Sequence, residues 1–285
     1  MTVFAENGLT QAEWATPVAG RELLVVNLMP EKAVAERQFL TLLAATGVDC
    51  RVTFAYPASH RFRFGDEGAI HKAYLPLPRA KERTYDGLIV TGAPVEHLPF
   101  AAVDYWAEFR QLVAWSRGGV ARALFECWAC QAALQVSYGL SKVALAAKRF
   151  GVYSARLQPV ASPFLNGFAA GGVIRMPQSR HSQTTTATVP AGLEVLARSA
   201  TGEALLLASA DQHDLYITGH PEYGLTTLDS EYQRDRRLGR PIQPPVNYYR
   251  AGRIVNSWQA SSIRLYRNWL CARKGVSDDH SRPNH

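Results

Sequence analysis

Five short runs of consecutive apolar residues constrain this chain more than any other feature. They read ELLVVNL (22–28), RVTFA (51–55), LIVT (88–91), ARALF (121–125) and LYIT (215–218). Runs that are apolar at successive positions, rather than at alternate ones, describe strands buried on both faces, as in a parallel sheet covered by helices. Helical stretches lie between several of them. ERQFLTLLAA (36–45) places Phe39, Leu40 and Leu43 on one face and meets a stop at Gly47. DYWAEFRQLVAW (104–115) is amphipathic, with Asp104 predicted as its N-cap. WACQAALQV (128–136) is a third, ended by Gly139. Strands alternating with helices predict an α/β fold, a mostly parallel sheet with helices on both faces. Ligands of such sheets sit beyond the carboxyl ends of the strands. Every chemically suggestive residue in this sequence falls at such an end.

We expect a single domain over 1–285, with about 1–20 peripheral, the segment 60–83 an irregular excursion, and 275–285 a frayed tail. No apolar run approaches the roughly 20 residues that span a bilayer, and the first residues carry no basic and apolar leader pattern. A cytoplasmic protein that does not engage a membrane is the expectation. Four cysteines are too few for a disulfide scaffold. The formal net charge of +7 is concentrated in residues 230–285, which hold 11 Lys and Arg against 4 Asp and Glu, while 1–229 balance at 20 and 20. These charges are interspersed with acids and aromatics, as in EYQRDRRLGR. Solvated helix faces fit that pattern better than a nucleic-acid arm, and a basic rim for a phosphorylated ligand is the other reading.

Cys127 follows a predicted strand and opens a predicted helix. A strand–turn–helix elbow pushes a nucleophile out at the top of a sheet, and a helix N-terminus favours the thiolate. The N–H of Trp128 is then placed to meet a developing oxyanion. Cys127 and Cys130 also form a CxxC, but several strands precede it, unlike a thioredoxin-type redox pair. Cys50 and Cys271 are too distant to complete a zinc site. Cys130 therefore reads as packing, and no metal is expected. The segment Thr218-Gly219-His220-Pro221-Glu222 supplies a base and an orienting carboxylate at another strand end, the partners a cysteine nucleophile needs. The turn Gly92-Ala93-Pro94 can turn backbone N–H groups toward a substrate oxygen.

A cysteine elbow followed by His-x-Glu about 90 residues later resembles the class I glutaminase arrangement. The fuller pattern is closer to another family. NLMPEKAVAERQFL, DGLIVTGAPVEHLPFAAVDYW, CWACQAAL followed by YGL, GVY at 151–153 and TGHPEY at 218–223 together resemble the homoserine O-acyltransferases of methionine biosynthesis, over about residues 24–270. The resemblance implies a flavodoxin-like, class I glutaminase-like fold and transfer of an acyl group from acyl-CoA to the hydroxyl of L-homoserine. No prosthetic group takes part, since acyl-CoA is a substrate; a homodimer is compatible. Cys127 matches the cysteine that carries the acyl group, His220 the proton acceptor and Glu222 its partner. Lys148 and Ser179 match substrate-site residues. Arg234 matches an arginine for the acceptor carboxylate, a job suited to a planar guanidinium. The oxyanion would meet the backbone of Trp128, Gly92 and Ala93.

Two departures stand out. Trp258-Gln-Ala-Ser-Ser replaces a more usual W-R-S-H-G, and Gln178 stands where a histidine is common. Within the resemblance, Glu96 occupies the position that separates donors, glycine going with succinyl-CoA and glutamate with acetyl-CoA. A succinyl tail would bring a second carboxylate beside Glu96. At an effective dielectric near 20 such a pair repels by about 2–4 kcal/mol. Acetyl transfer is thus expected, with succinyl transfer or a serine acceptor as alternatives. A glutaminase-type amidohydrolase and a non-catalytic binding module are the readings from other classes.

Overall fold

The computed structural model describes residues 2–62, 65–186 and 188–272. Along the chain it forms β1 (Val3–Ala5), β2 (Arg21–Val26), α1 (Lys32–Ala45), β3 (Cys50–Tyr56), α2 (Glu67–Ala73), β4 (Leu75–Pro76), α3 (Leu77–Ala80), β5 (Gly87–Val90), α4 (Trp106–Gly119) and β6 (Ala123–Glu126). There follow α5 (Trp128–Tyr138), β7 (Lys142–Leu157), β8 (Val173–Thr184), β9 (Leu193–Arg198), β10 (Ala204–Ser209), β11 (Asp214–Ile217), α6 (Thr227–Arg237) and α7 (Gln259–Cys271). One sheet runs in the order β1-β3-β2-β5-β6-β11-β10-β9-β7-β8, with β4 on β3. Every pairing from β1 to β11 in that order is parallel, and β10, β9, β7 and β8 extend the sheet antiparallel.

All five apolar runs lie on strands of the parallel part, and successive residues there divide between two cores. Leu23, Val25, Ile89, Leu124 and Leu215 pack with Phe39 and Leu40 of α1 and with Leu265 and Trp269 of α7. Leu24, Val26, Leu88, Val90, Phe125 and Tyr216 pack on the other side with Phe109 and Leu112 of α4 and with Trp128 and Ala132 of α5. Helices therefore cover both faces, as expected. Each fully buried side chain of this size contributes about 2–3 kcal/mol of hydrophobic stabilisation. Among the described residues, no helix is long and apolar enough to cross a membrane.

Four local expectations change. Residues 3–5 are not peripheral: β1 pairs parallel with β3, and Val3 and Ala5 are fully buried. Three residues with a polar neighbourhood gave too short a pattern to signal a strand. Asp104 does not cap α4, whose first turn begins two residues later with Tyr105 at the cap position. Its carboxylate instead accepts from the N–H groups of Arg61 (2.9 Å) and Tyr105 (3.0 Å) and pairs with His60 (3.1 Å). The 60–83 excursion is partly regular, holding α2, β4 and α3, because Ile70, Tyr74, Leu77 and Ala80 are buried. Asp66 is the side-chain cap there, accepting from Ala69 N–H at 3.0 Å. α1 also starts four residues earlier than its apolar spacing indicates. The tail 275–285 lies outside the described residues.

Candidate active site

Four strand ends meet at one edge of the sheet: those of β2, β5, β6 and β11. The register places Ile217 beside Glu126, so the residues that follow, Cys127 and Thr218–Glu222, emerge next to each other. Cys127 N–H donates to Ile217 O at 2.8 Å. Its backbone has φ 49° and ψ −112°, a region that costs a non-glycine residue about 1–3 kcal/mol and persists only where packing enforces it. Here the buried β6 strand enters the elbow and the fully buried Trp128 leaves it. Cys127 itself is 7% exposed.

His220 and Glu222 come together as the sequence suggested. His220 Nδ1–H donates to Glu222 Oε1 at 2.8 Å. That fixes the tautomer and leaves the other ring nitrogen for Cys127, with which the ring is within hydrogen-bond reach. Tyr223 stacks on the imidazole at 4.3 Å between centroids, 19° from parallel. Burial alone would lower the pKa of His220; the negative charge and hydrogen bond of Cys127 outweigh it and raise the imidazole above its ordinary value. Burial raises the Glu222 carboxyl.

Two glycines make this geometry possible by having no side chain. A Cβ on Gly92 would stand 3.0 Å from His220 Cε1 and 3.1 Å from Cys127 Cβ. A Cβ on Gly219 would stand 2.3 Å from Pro177 O, where β8 crosses close enough for His220 N–H to donate to that same carbonyl at 2.9 Å. Thr91 holds the turn after β5: its hydroxyl accepts from Leu28 N–H (2.8 Å) and donates to Gly92 O (3.0 Å). The N–H groups of Gly92, Ala93 and Trp128 donate to no other group among the described residues. Cys130, fully buried one turn along α5, has its thiol pushed up by burial, as befits packing rather than redox chemistry.

Cys127 and His220 open into a cavity of about 520 Å³, ample for a small ligand. Glu96, Lys148, Ser179 and Arg234 all line it, so every sequence-derived site residue that points to a substrate reaches one space. Sequence reasoning missed their partners. On α6, Glu231 accepts from Ser179 Oγ–H (2.6 Å) and Tyr223 O–H (2.6 Å), and Asp235 lies 3.4 Å from Lys148 Nζ and 3.0 Å from Arg234 Nε. Lys148 Nζ also stands 4.3 Å above the Phe150 ring. The i, i+4 spacing of Glu231 and Asp235 was the available signal, hidden among charges read as solvated. Arg234 uses Nε on Asp235, while its two terminal nitrogens bond to nothing among the described residues.

At the mouth, Glu96, His97 and His181 bring side-chain ligand atoms within 4.8 Å of one another, and Lys142 Nζ donates to Glu96 O at 2.7 Å. Gln178 is buried and donates to Thr218 Oγ1 (3.3 Å). Trp258 donates its indole N–H to Tyr223 O at 3.0 Å. Of the two departures in sequence, Gln178 therefore touches the support of the His220 segment directly, whereas the changed residues after Trp258 do not.

A second cavity of about 500 Å³ adjoins the first and shares Met29, Pro30 and Pro94 with it. The Asn27–Pro30 segment between them is tied by Lys32, whose Nζ donates to Asn27 O (2.7 Å) and Met29 O (3.2 Å). Burial pulls this ammonium down to about 8.

A cysteine elbow and a His–Glu pair on adjacent parallel strand ends define a glutaminase-type α/β protein. Solved structures share this fold, among them a glutamine amidotransferase from Methylobacillus flagellatus (TM-score 0.56, 14% identity, covering 92% of this chain and 100% of that one) and another from Thermotoga maritima (TM-score 0.53, 14%, 89% and 97%). Sequence narrows the class. The pattern of the homoserine O-succinyltransferase family matches residues 10–274, and this chain belongs to that family. Similar proteins include homoserine O-acetyltransferases from Synechococcus elongatus (42% identity over 257 residues, 87% of this chain and 85% of that protein), Geobacillus sp. (37%, 87% and 83%) and Lactococcus lactis (38%, 87% and 78%).

Proposed function

We propose that this protein is a homoserine O-acetyltransferase that works through an acyl group on Cys127. The observation that carries the reading is the Cys127–His220–Glu222 line at the floor of a ligand-sized cavity, in a chain of this family. The Cys127 thiolate attacks the thioester carbon of acetyl-CoA. The backbone N–H groups of Trp128, Gly92 and Ala93 receive the oxyanion, donors that have no other partner to give up. The tetrahedral intermediate collapses, CoA leaves with a proton from the imidazolium, and acetyl-Cys127 remains. The adjoining cavity, lined by Leu28, Phe62, Val95 and Tyr105 and sharing Met29 and Pro94 with the first, takes the apolar arm of the CoA.

L-Homoserine then enters the first cavity. Its carboxylate pairs with the terminal nitrogens of Arg234, and its ammonium faces the acidic pair Glu231 and Asp235. His220 removes the hydroxyl proton, the oxygen attacks the acetyl carbon, and the tetrahedral intermediate collapses with the C–S bond breaking: Cys127 leaves as thiolate beside the imidazolium, and O-acetylhomoserine departs. Acylation itself prepares this step. Once Cys127 carries acetyl, the negative charge that does most to raise the His220 pKa is gone, which shifts the imidazole toward the neutral form that acts as a base.

Donor choice rests on Glu96. Its place at the wall of the same cavity fits the repulsion argument, since a succinyl carboxylate would share that space. The test is a release assay for free CoA with acetyl-CoA and succinyl-CoA against homoserine and serine. Rapid CoA release with acetyl-CoA and homoserine supports the reading. Ammonia release from glutamine without CoA would replace it with an amidohydrolase.

A further inference from the structure

Directly behind Glu222 lies a second carboxyl that the reaction above does not use. Glu126, the last residue of β6 and the neighbour of Cys127, is fully buried. One of its oxygens, Oε1, accepts from the hydroxyl of Tyr266, itself fully buried on α7. A carboxyl oxygen of Glu126, one of Glu222 and a ring nitrogen of His220 all lie within 4.8 Å of one another. Yet Oε2 of Glu126 and Oε2 of Glu222 are both buried, and neither meets a donor among the described residues.

Two orphaned oxygens on carboxyls this close have one simple resolution. A single proton between them, O–H···O⁻, satisfies both at once, whereas two ionised carboxylates there would repel in a low-dielectric setting. The surroundings decide which group holds the proton. Glu222 has the imidazole of His220 as its partner and gains from being an anion. Glu126 has only the Tyr266 hydroxyl, a donor that a neutral acid's carbonyl oxygen accepts equally well.

We propose, within the acyl-transfer reading above, that Glu126 is a positioning residue held as a neutral acid, donating to Glu222 so that the latter stays an anion locked against His220. The resulting chain runs Tyr266–Glu126–Glu222–His220–Cys127. No proton leaves Glu126 during turnover; its role is to satisfy the far side of Glu222 and fix its rotamer. Burial and the neighbouring carboxylate both raise the Glu126 carboxyl well above its usual range; burial also raises Glu222, to about 8, and the hydrogen bond from Glu126 works against that rise. The other titratable groups facing the pair are Tyr266 from α7, His220 and Tyr223 on either side of Glu222, Cys127 and Cys130 around the elbow, and Glu231 from α6.

The test separates a neutral donor from a charge or from mere packing. Glu126→Gln keeps a donor toward Glu222 and an acceptor for Tyr266. Glu126→Leu keeps bulk but offers neither. The readout is the rate of Cys127 alkylation by iodoacetamide against pH, which does not depend on what the enzyme acylates. The glutamine variant is expected to follow the wild-type profile. In the leucine variant Glu222 takes up a proton itself, His220 loses its anionic partner, and alkylation near neutral pH falls by about 10- to 100-fold, the factor carried by one hydrogen bond to a buried charge, recovering only at higher pH. Tyr266→Phe, which loosens the far end of the chain, is expected to fall between them and decides the matter if the leucine variant does not fold. An infrared band of a protonated carboxyl at neutral pH should be present in the wild type and absent from Glu126→Gln. A wild-type profile in folded Glu126→Leu and in Tyr266→Phe overturns the proposal. So does a glutamine variant as impaired as the leucine one, the absence of the infrared band, or one tightly bound divalent cation per chain.

Discussion

The two halves of the sheet contribute to the site in opposite ways. The parallel half, β2, β5, β6 and β11, supplies the nucleophile, its base and the oxyanion donors through backbone geometry. The elbow at Cys127 sits at φ 49°, and Gly92 and Gly219 leave no room for a Cβ. The antiparallel half, with α6, supplies the substrate-facing groups through side-chain charge. Lys148 on β7, Ser179 on β8, and Glu231, Arg234 and Asp235 on α6 form a network in which each group is held by another group's charge or hydrogen bond. Reaction chemistry is set by constraints that tolerate almost no change. Substrate choice is set by contacts that can be exchanged one at a time.

If that division holds, the largest loss comes from the elbow. Cys127→Ala should lower kcat by at least about 10³-fold, since the acyl carrier is gone. Intact-mass spectrometry after mixing with acetyl-CoA should show one acetyl adduct on the wild type and none on the variant. An adduct that survives the substitution would move the nucleophile elsewhere.

Gly92→Ala probes the backbone side of the same claim. One methyl group pressed against His220 and Cys127 displaces them by a few tenths of an ångström or more, and misplacement on this scale can cost about 10²-fold in kcat. Thermal unfolding measured alongside separates this local displacement from a general loss of stability. Unchanged kcat would show that the oxyanion turn is more pliant than its contacts suggest.

The same division decides what could be read from sequence. Strands β2, β3, β5, β6 and β11 were legible because both of their faces are buried, so burial wrote an unbroken apolar run. Cys127, His220 and Glu222 were legible because they follow such runs directly. The antiparallel strands were not. Residues 142–149 of β7 read KVALAAKR, with alanines and half-exposed positions that give neither a clean alternation nor a continuous run. Glu231 and Asp235 were hidden because an acidic pair turned into a cavity has the same local sequence as one facing water. Glu126 was passed over because nothing in FEC distinguishes a buried acid from an exposed one; only Tyr266, 140 positions away, reveals its setting.

On the charge-based side, effects should be selective rather than total. Glu96→Gly removes the repulsion and the bulk that disfavour a succinyl tail. The ratio of kcat/KM for acetyl-CoA over succinyl-CoA should fall by roughly 10- to 100-fold, the range that 1.4–3 kcal/mol implies, with little change in acetyl transfer. A wild type that already prefers succinyl-CoA, or a variant with no gain in succinyl transfer, would remove Glu96 from donor choice. Arg234→Lys keeps the charge and loses the planar fork. KM for homoserine should rise about tenfold, the value of one lost charge-assisted hydrogen bond, while KM for acetyl-CoA stays put. The reverse pattern would give Arg234 to the donor.

The smallest effect is a displacement along the pH axis, and it tests how the two halves are coupled in time. In the free enzyme the negative charge of Cys127 raises the His220 pKa against the lowering effect of burial. A group whose pKa is raised stays protonated to higher pH, so beside a Cys127 thiolate the imidazolium persists further up the pH scale than burial alone would allow. Acylation neutralises the sulfur. His220 then loses the interaction that raised it, keeps the burial that lowers it, and sheds its proton at lower pH. Transfer to homoserine, which needs the neutral base, should therefore retain activity to a more acidic pH than the free enzyme's own imidazole titration would allow. The measurement is a single-turnover one: isolate acetyl-enzyme, mix with homoserine across pH, and compare the acid limb with the histidine titration of the free protein followed by NMR. Coincident midpoints would mean that the charge on Cys127 does not govern His220, and that the base is tuned instead by the carboxyls behind it.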